Sequence, residues 1–170
     1  MRRFVWSFFG VQLGLFALTQ LPVIRQHLVL PWTYLLADAC ASLVTLFDVH
    51  AAAQGKVLWN PGNGLGVSIE AGCNGVEAYI ILIAGVVGYP AQWRQRAWGL
   101  VLGFAAVQGL NVLRVISLFY LVQWNERAFY IFHTYLWQGL IMLDVLVFWL
   151  LWIRSSAGGG GQAQPIAATP

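Results

Sequence analysis

The sequence predicts an all-α membrane protein of about four transmembrane helices, together with one interfacial amphipathic helix and a short extracytoplasmic β-hairpin. Three observations carry this expectation. Of the 170 residues, 59% are hydrophobic and 9% are charged, too little charge to coat a soluble globule of ordinary composition. Four apolar segments approach or exceed the roughly 20 residues that a helix needs to cross a hydrocarbon core. The arginines flank these segments instead of forming a patch, so the net charge of +3 speaks of orientation in a lipid bilayer, and no nucleic-acid partner is expected.

Residues 4–21 form the first span. Met1-Arg2-Arg3 ahead of Phe4 resembles the start of a signal peptide, but the run ends at Gln20-Leu21-Pro22 without a small-x-small cleavage site, so the segment is read as retained. The stretch 31–47 differs. Asp38, Ser42 and Thr45 share one helical face, while Leu35, Leu36, Ala39, Leu43 and Leu46 occupy the other, which predicts a helix lying flat in the interface, with a marginal fifth span as the alternative. Residues 55–72 read as two short strands around a turn at Asn60 to Gly64. The segments 76–89, 97–121 and 129–153 supply the remaining spans, the last two long enough to tilt or project from the lipid.

Positive charge sets the direction of threading. Arg2 and Arg3, Arg94 and Arg96, and Arg154 mark three cytoplasmic places, and a spanning segment at 31–47 would push one of these pairs outside. Arg25, Lys56 and Arg127 fall on the opposite side without reversing the balance. Residues 1–154 are thus read as one transmembrane domain, and the Gly-rich, Gln/Ala/Pro/Thr segment 155–170 as a disordered cytoplasmic tail.

Polar residues inside or beside membrane spans are costly and so draw functional attention. Cys73 lies in Glu70-Ala-Gly-Cys-Asn-Gly-Val-Glu77. There Asn74 can cap the following helix and Glu77 can close a capping box, which places the sulfur at a helix N-terminus where the dipole favours thiolate. Gly72 and Gly75 leave room for a substrate backbone. Alternatively, the cysteine is a small apolar filler, the role expected of Cys40 among Ala37, Ala39 and Ala41. Arg114 shares a helix face with Asn111 and serves either as a cation for an oxyanion or carbonyl or as an arginine snorkelling to head groups. His133 is either a proton carrier or an interfacial histidine among Tyr130, Tyr135 and Trp137. Asp144, three turns further along the same helix, reads as a buried structural polar group or a partner for Arg114; Glu77 reads first as a cap and Glu70 as a loop residue within reach of substrate. No phosphate-binding glycine loop, His-Glu-x-x-His helix or Gly-x-Ser-x-Gly elbow occurs. His27, His50 and His133 lack ligand spacing, so no metal and no cofactor is expected. Two non-proteolytic readings remain: a polar helix-packing network of Arg114, Asp144 and Asn111 in a small assembly subunit, and a thiol oxidoreductase using Cys40 as resolving cysteine.

Taken together, Gly72-Cys73-Asn74-Gly75-Val76, Asn111-Val-Leu-Arg114-Val and Phe132-His133 resemble the three motifs of the exosortase/archaeosortase family. The Glu70 to Ala78 stretch and the Trp137 to Asp144 run look most like its short exosortase H branch. The resemblance implies a cysteine protease or transpeptidase of the bacterial inner membrane. Its substrates would be membrane-anchored proteins ending in a sorting signal: a short motif (Ile-Pro-Thr-Leu in this branch), an apolar helix and a basic tail. It further implies Cys73 as nucleophile, His133 as proton carrier and Arg114 as transition-state stabiliser at the outer membrane face.

Overall fold

The computed structural model describes residues 2–47 and 51–158. Its helices are α1 (Arg2–Gln20), α2 (Pro22–Ile24), α3 (Leu30–Thr45), α4 (Val76–Gly88), α5 (Trp93–Trp124), α6 (Glu126–Ile131) and α7 (Trp137–Gly158). π-helical turns at Arg25–Val29 and Phe132–Leu136 join α2 to α3 and α6 to α7 as continuous rods. By length and composition, three of the described helical stretches can cross a membrane, namely Pro22–Thr45, Trp93–Trp124 and Glu126–Ser156, and Val76–Gly88 is apolar but shorter. The chain is a multi-pass membrane protein.

The helix expected to lie flat from residue 31 therefore belongs to a longer one that starts at Pro22. Pro31 sits inside this rod, where a proline lacks an N–H to donate and its ring strikes the carbonyl four residues back. The π turn resolves this conflict: the Leu30 N–H bonds to Arg25 O, five residues back, and the widened turn gives the ring room. The apolar stripe is also not the packed one. Leu35, Leu43 and Leu46 are exposed, whereas Thr33, Leu36, Ala37, Cys40, Ala41 and Val44 are buried. Small side chains bring α3 close to its neighbours and leave the leucines outward.

Side-chain contacts fix the helix directions. The Phe4 ring lies 3.3 Å from where a Cβ on Gly88 would stand, so the start of α1 sits beside the end of α4. Gly103 of α5 receives Leu82 of α4 and Phe148 of α7. Gly99 receives Trp152, whose indole donates to Gln95 O at 3.0 Å. Such small residues let membrane helices approach closely, where lipid removes the hydrophobic drive to associate. This packing collects the start of α1, the α4–α5 loop and the end of α7 at one end of the bundle, and with them the arginines of all three segments.

Two cores result. Ala78, Leu82, Val86, Val107, Ile141, Val145 and Trp152 join α4, α5 and α7 at the arginine end. At the other end, Cys40, Val44, Leu58, Val67, Ile69, Leu118, Phe119 and Trp137 join α3, the sheet, the last turns of α5 and the start of α7. Helix α5 has 32 residues, about 48 Å at ~1.5 Å per residue, against a hydrocarbon core of ~30 Å. Helix α5 is thus longer than a straight crossing needs, and the second core is built on its C-terminal turns.

The expected hairpin is a three-stranded antiparallel sheet, β1 (Ala52–Gln54), β2 (Val57–Trp59) and β3 (Gly66–Ser68), in that order. The Asn60 to Gly64 turn is present: Asn60 N–H donates to Leu65 O and Gly64 N–H to Asn60 O, both at 2.8 Å. Gln123 of α5 accepts from Asn60 Nδ2 at 2.6 Å, which ties the turn to that helix. The strand missed in the sequence, Ala-Ala-Gln, has no β-forming residue; pairing with β2 makes it a strand. Helix α7 continues past Arg154 to Gly158, while His50 and residues 159–170, the rest of the expected tail, lie outside the described residues.

Candidate active site

The chain leaves β3, passes Ile69, whose N–H donates to Lys56 O at 2.9 Å, and turns sharply into α4. In that turn the Cys73 N–H donates to Glu70 O at 2.9 Å. Two glycines make the turn feasible, since Gly72 (φ +83°) and Gly75 (φ +75°) occupy left-handed conformations that other residues adopt at a cost. They differ in surroundings. A Cβ on Gly72 would meet nothing within 4 Å, whereas one on Gly75 would lie 2.6 Å from Gln108 Nε2. Only Gly72 leaves the space expected for a substrate backbone; at Gly75 that space is filled by the Gln108 amide.

Cys73 Sγ lies 3.4 Å from His133 Nε2 and 3.3 Å from Arg114 Nη2. The sulfur, imidazole and guanidinium come from the β3–α4 turn, the π turn before α7, and α5. Arg114 is 2% exposed and also donates from Nη1 to Gly72 O at 3.1 Å. One guanidinium thus grips both the sulfur and the carbonyl next to it. His133 stacks on Phe129, one turn earlier, with ring centres 5.6 Å apart and planes at 15°. The π turn widens the helix at this imidazole, a deformation common at functional sites.

Asn74 is buried and held on three sides. It donates to Thr33 Oγ1 at 3.2 Å, its side-chain oxygen accepts from Val76 N–H at 3.1 Å, and its carbonyl accepts from the Trp32 indole at 3.1 Å. It fixes the turn, but the helix cap itself is Gly75, one residue later than expected. The capping box with Glu77 accordingly does not form; Glu77 Oε2 is buried without a partner. Glu70 points outward, paired with Lys56 and accepting from Ser68 Oγ at 2.8 Å. These bonds hold its carboxyl below the ordinary carboxylate range.

Asn111 and Asp144 stand apart from this cluster. Both side-chain atoms of Asn111 and Oδ2 of Asp144 are buried without partners, and no hydrogen bond or ion pair links Arg114 to Asp144 among the described residues. Arg114 directs Nη1 and Nη2 to the Cys73 turn and leaves Nε buried without a partner, which counts against a helix-packing network of Arg114, Asp144 and Asn111. Cys40 is fully buried in the second core, and both cysteines are free thiols.

Burial works against the expected thiolate. With the helix beginning three residues beyond the sulfur, burial dominates and pushes the Cys73 thiol up; Arg114 opposes the rise, and the carboxylates of Glu77 and Glu70 add to it. A raised pKa means the neutral thiol persists to higher pH than in a free cysteine. Alkylation of Cys73 by iodoacetamide follows the thiolate fraction, so its rate profile should be displaced to higher pH than that of a free thiol. In Arg114→Gln it should move higher still. A profile displaced to lower pH, or unmoved by the substitution, contradicts this electrostatic picture.

Trp32, Thr33 and Phe129 were not singled out from the sequence. The Phe129–His133 spacing of one helical turn is a usable signal; the long-range contacts of Trp32 and Thr33 left none.

Fold and site define a multi-pass helical membrane protein with a thiol in contact with both an imidazole and a guanidinium at the base of a small sheet. The model of the transmembrane exosortase family (Exosortase_EpsH) matches residues 2–153, nearly the whole chain, and the protein belongs to that family. No curated protein and no solved structure matches the chain.

Proposed function

We propose that the protein is a membrane-embedded cysteine protease or transpeptidase that cleaves C-terminal sorting signals of exported proteins at the outer face of the bacterial inner membrane. The single observation that carries this reading is Cys73 Sγ within hydrogen-bonding reach of both His133 Nε2 and Arg114 Nη2. With Nε2 unprotonated, the Cys73 thiol hydrogen-bonds to it in the resting site. As sulfur attacks the scissile carbonyl carbon, an S–C bond forms, His133 takes the proton, and the carbonyl oxygen becomes an oxyanion that Arg114 stabilises. Collapse breaks the C–N bond, His133 returns the proton to the leaving amine, and a thioester remains on Cys73. Water or an acceptor amine then releases it. Glu70, on the outer lip, contacts substrate; Asn74 and Glu77 support the turn; Asn111 and Asp144 act as buried polar supports.

Four spans, α1, α4, α5 and the α6–α7 rod, with both ends inside, fit the collection of arginines at one end of the bundle. Helix α1 runs the length of α4 and shares its lipid exposure through Trp6, Phe9 and Leu13. The α2–α3 rod then stands at the outer end, where its buried stripe packs on the sheet and not on the membrane core. Substrates are membrane-anchored proteins whose tails carry a motif of the Ile-Pro-Thr-Leu type, an apolar helix and a basic end, by likeness to the exosortase H branch.

The test is a reporter protein bearing such a tail, co-expressed with the full chain. The expected result is a truncated reporter lacking the apolar helix. An intact reporter, with the chain abundant in the membrane and several motif types tried, removes the proteolytic reading.

A further inference from the structure

An apolar groove of about 420 Å³ opens between the end of α1, the π turn before α3, α4 and the middle of α5. Its volume falls in the ~300–1,000 Å³ range of ligand sites. Leu18, Leu28, Trp32, Val76 and Ile80 are among its walls. Two of these tie it to the catalytic turn: Val76 is three residues beyond Cys73, and the Trp32 indole donates to Asn74 O. Three extended residues reach at most about 10 Å, so a chain leaving the outer end of the groove meets the sulfur within a few residues.

One feature of the groove is not apolar. Gln108 lines it, is 8% exposed, and its Oε1 is buried without a partner. An orphaned amide at this depth costs about 1–3 kcal/mol, and a lipid acyl chain offers it nothing to bond. A peptide helix does, through a serine or threonine hydroxyl or the free N–H groups of its first turn. Gln108 also stands on the α5 face that continues through Asn111 to Arg114, so groove and catalytic cluster share one wall.

We propose that this groove seats the apolar helix of the sorting signal and that the Gln108 amide hydrogen-bonds a hydroxyl or first-turn N–H at the outer end of that helix. This rests on the proteolytic reading. It makes the groove a ruler: the helix fills the space beside Val76, and the motif preceding it is laid over Gly72 and Cys73, where Gly72 leaves the surface open.

The experiment uses the full chain in its membrane and a reporter carrying a photoreactive benzoylphenylalanine in the outer turns of its apolar helix. In the Cys73→Ala background, which binds without turnover, crosslinks should fall on peptides of α4 and α5 that line the groove. Filling the groove with Ile83→Trp should reduce them about tenfold; if that variant does not accumulate, Leu18→Trp on the opposite wall serves. With Cys73 intact, Gln108→Leu should raise the KM for the reporter about tenfold and leave kcat within a factor of two. Crosslinks confined to lipid or to other helix faces, or unmoved by either filling variant while the intact chain still cleaves the reporter, overturn the groove and leave proteolysis standing. Groove crosslinks without any cleavage by the intact chain leave the groove standing and overturn proteolysis.

Discussion

A chain carrying Cys73→Ala is expected to cleave its reporter about a million-fold more slowly, below detection, since deleting the nucleophile of a protease removes catalysis on this scale. The same variant should accumulate in the membrane as the wild type does. Cys73 is only half-buried, its backbone N–H bond to Glu70 does not need the thiol, and the turn is fixed by Asn74 through Thr33, Trp32 and Val76. Cys73→Ser keeps a hydroxyl near His133 but, with a weaker nucleophile, should be comparably inactive. The measurement is the ratio of processed to intact reporter at matched enzyme abundance. Normal processing by either variant contradicts nucleophilic attack by Cys73.

His133→Gln should lower the rate by about 10²- to 10⁴-fold, the range for general acid–base catalysis. The raised pKa of the Cys73 thiol argues for a large effect, because a sulfur that holds its proton at rest needs a base at the moment of attack. The same reasoning gives a pH signature. As pH climbs through the thiol's titration, sulfur ionises without help, so the deficit of His133→Gln should shrink in alkaline solution. It should not vanish, since the leaving amine still lacks its proton donor. A deficit independent of pH, or a variant as fast as wild type at neutral pH, contradicts the role of His133.

The cluster itself was legible because charged and polar residues are scarce in this chain. Cys73, Arg114 and His133 stand out against apolar neighbours, and positive charge gave their common end of the bundle. What escaped the sequence depended on details that residue types do not carry. Pro31 sits badly inside a helix unless the π turn before it is known. Asn74 reads as a helix cap unless the left-handed Gly75 is seen to take that place, and with the cap moved, both the Glu77 pairing and the helix-end stabilisation of a thiolate fall away. Burial of the sulfur, which decides its protonation, is set by residues distant in sequence. Gln108 drew no notice for a related reason: an isolated glutamine in a long helix reads as an exposed polar position until Gly75 is found pressed against its amide and the groove beside it.

The most direct measurement of covalent catalysis at Cys73 is the fate of the reporter's new C-terminus when cleavage proceeds in hydroxylamine. A thioester on Cys73 partitions between its natural acceptor and hydroxylamine, so mass spectrometry should find the N-terminal product as a hydroxamate, in a fraction rising with hydroxylamine concentration and absent in Cys73→Ala. A product carrying only the free carboxylate at every concentration, formed at an unchanged rate, contradicts a thioester and with it the nucleophilic role of Cys73.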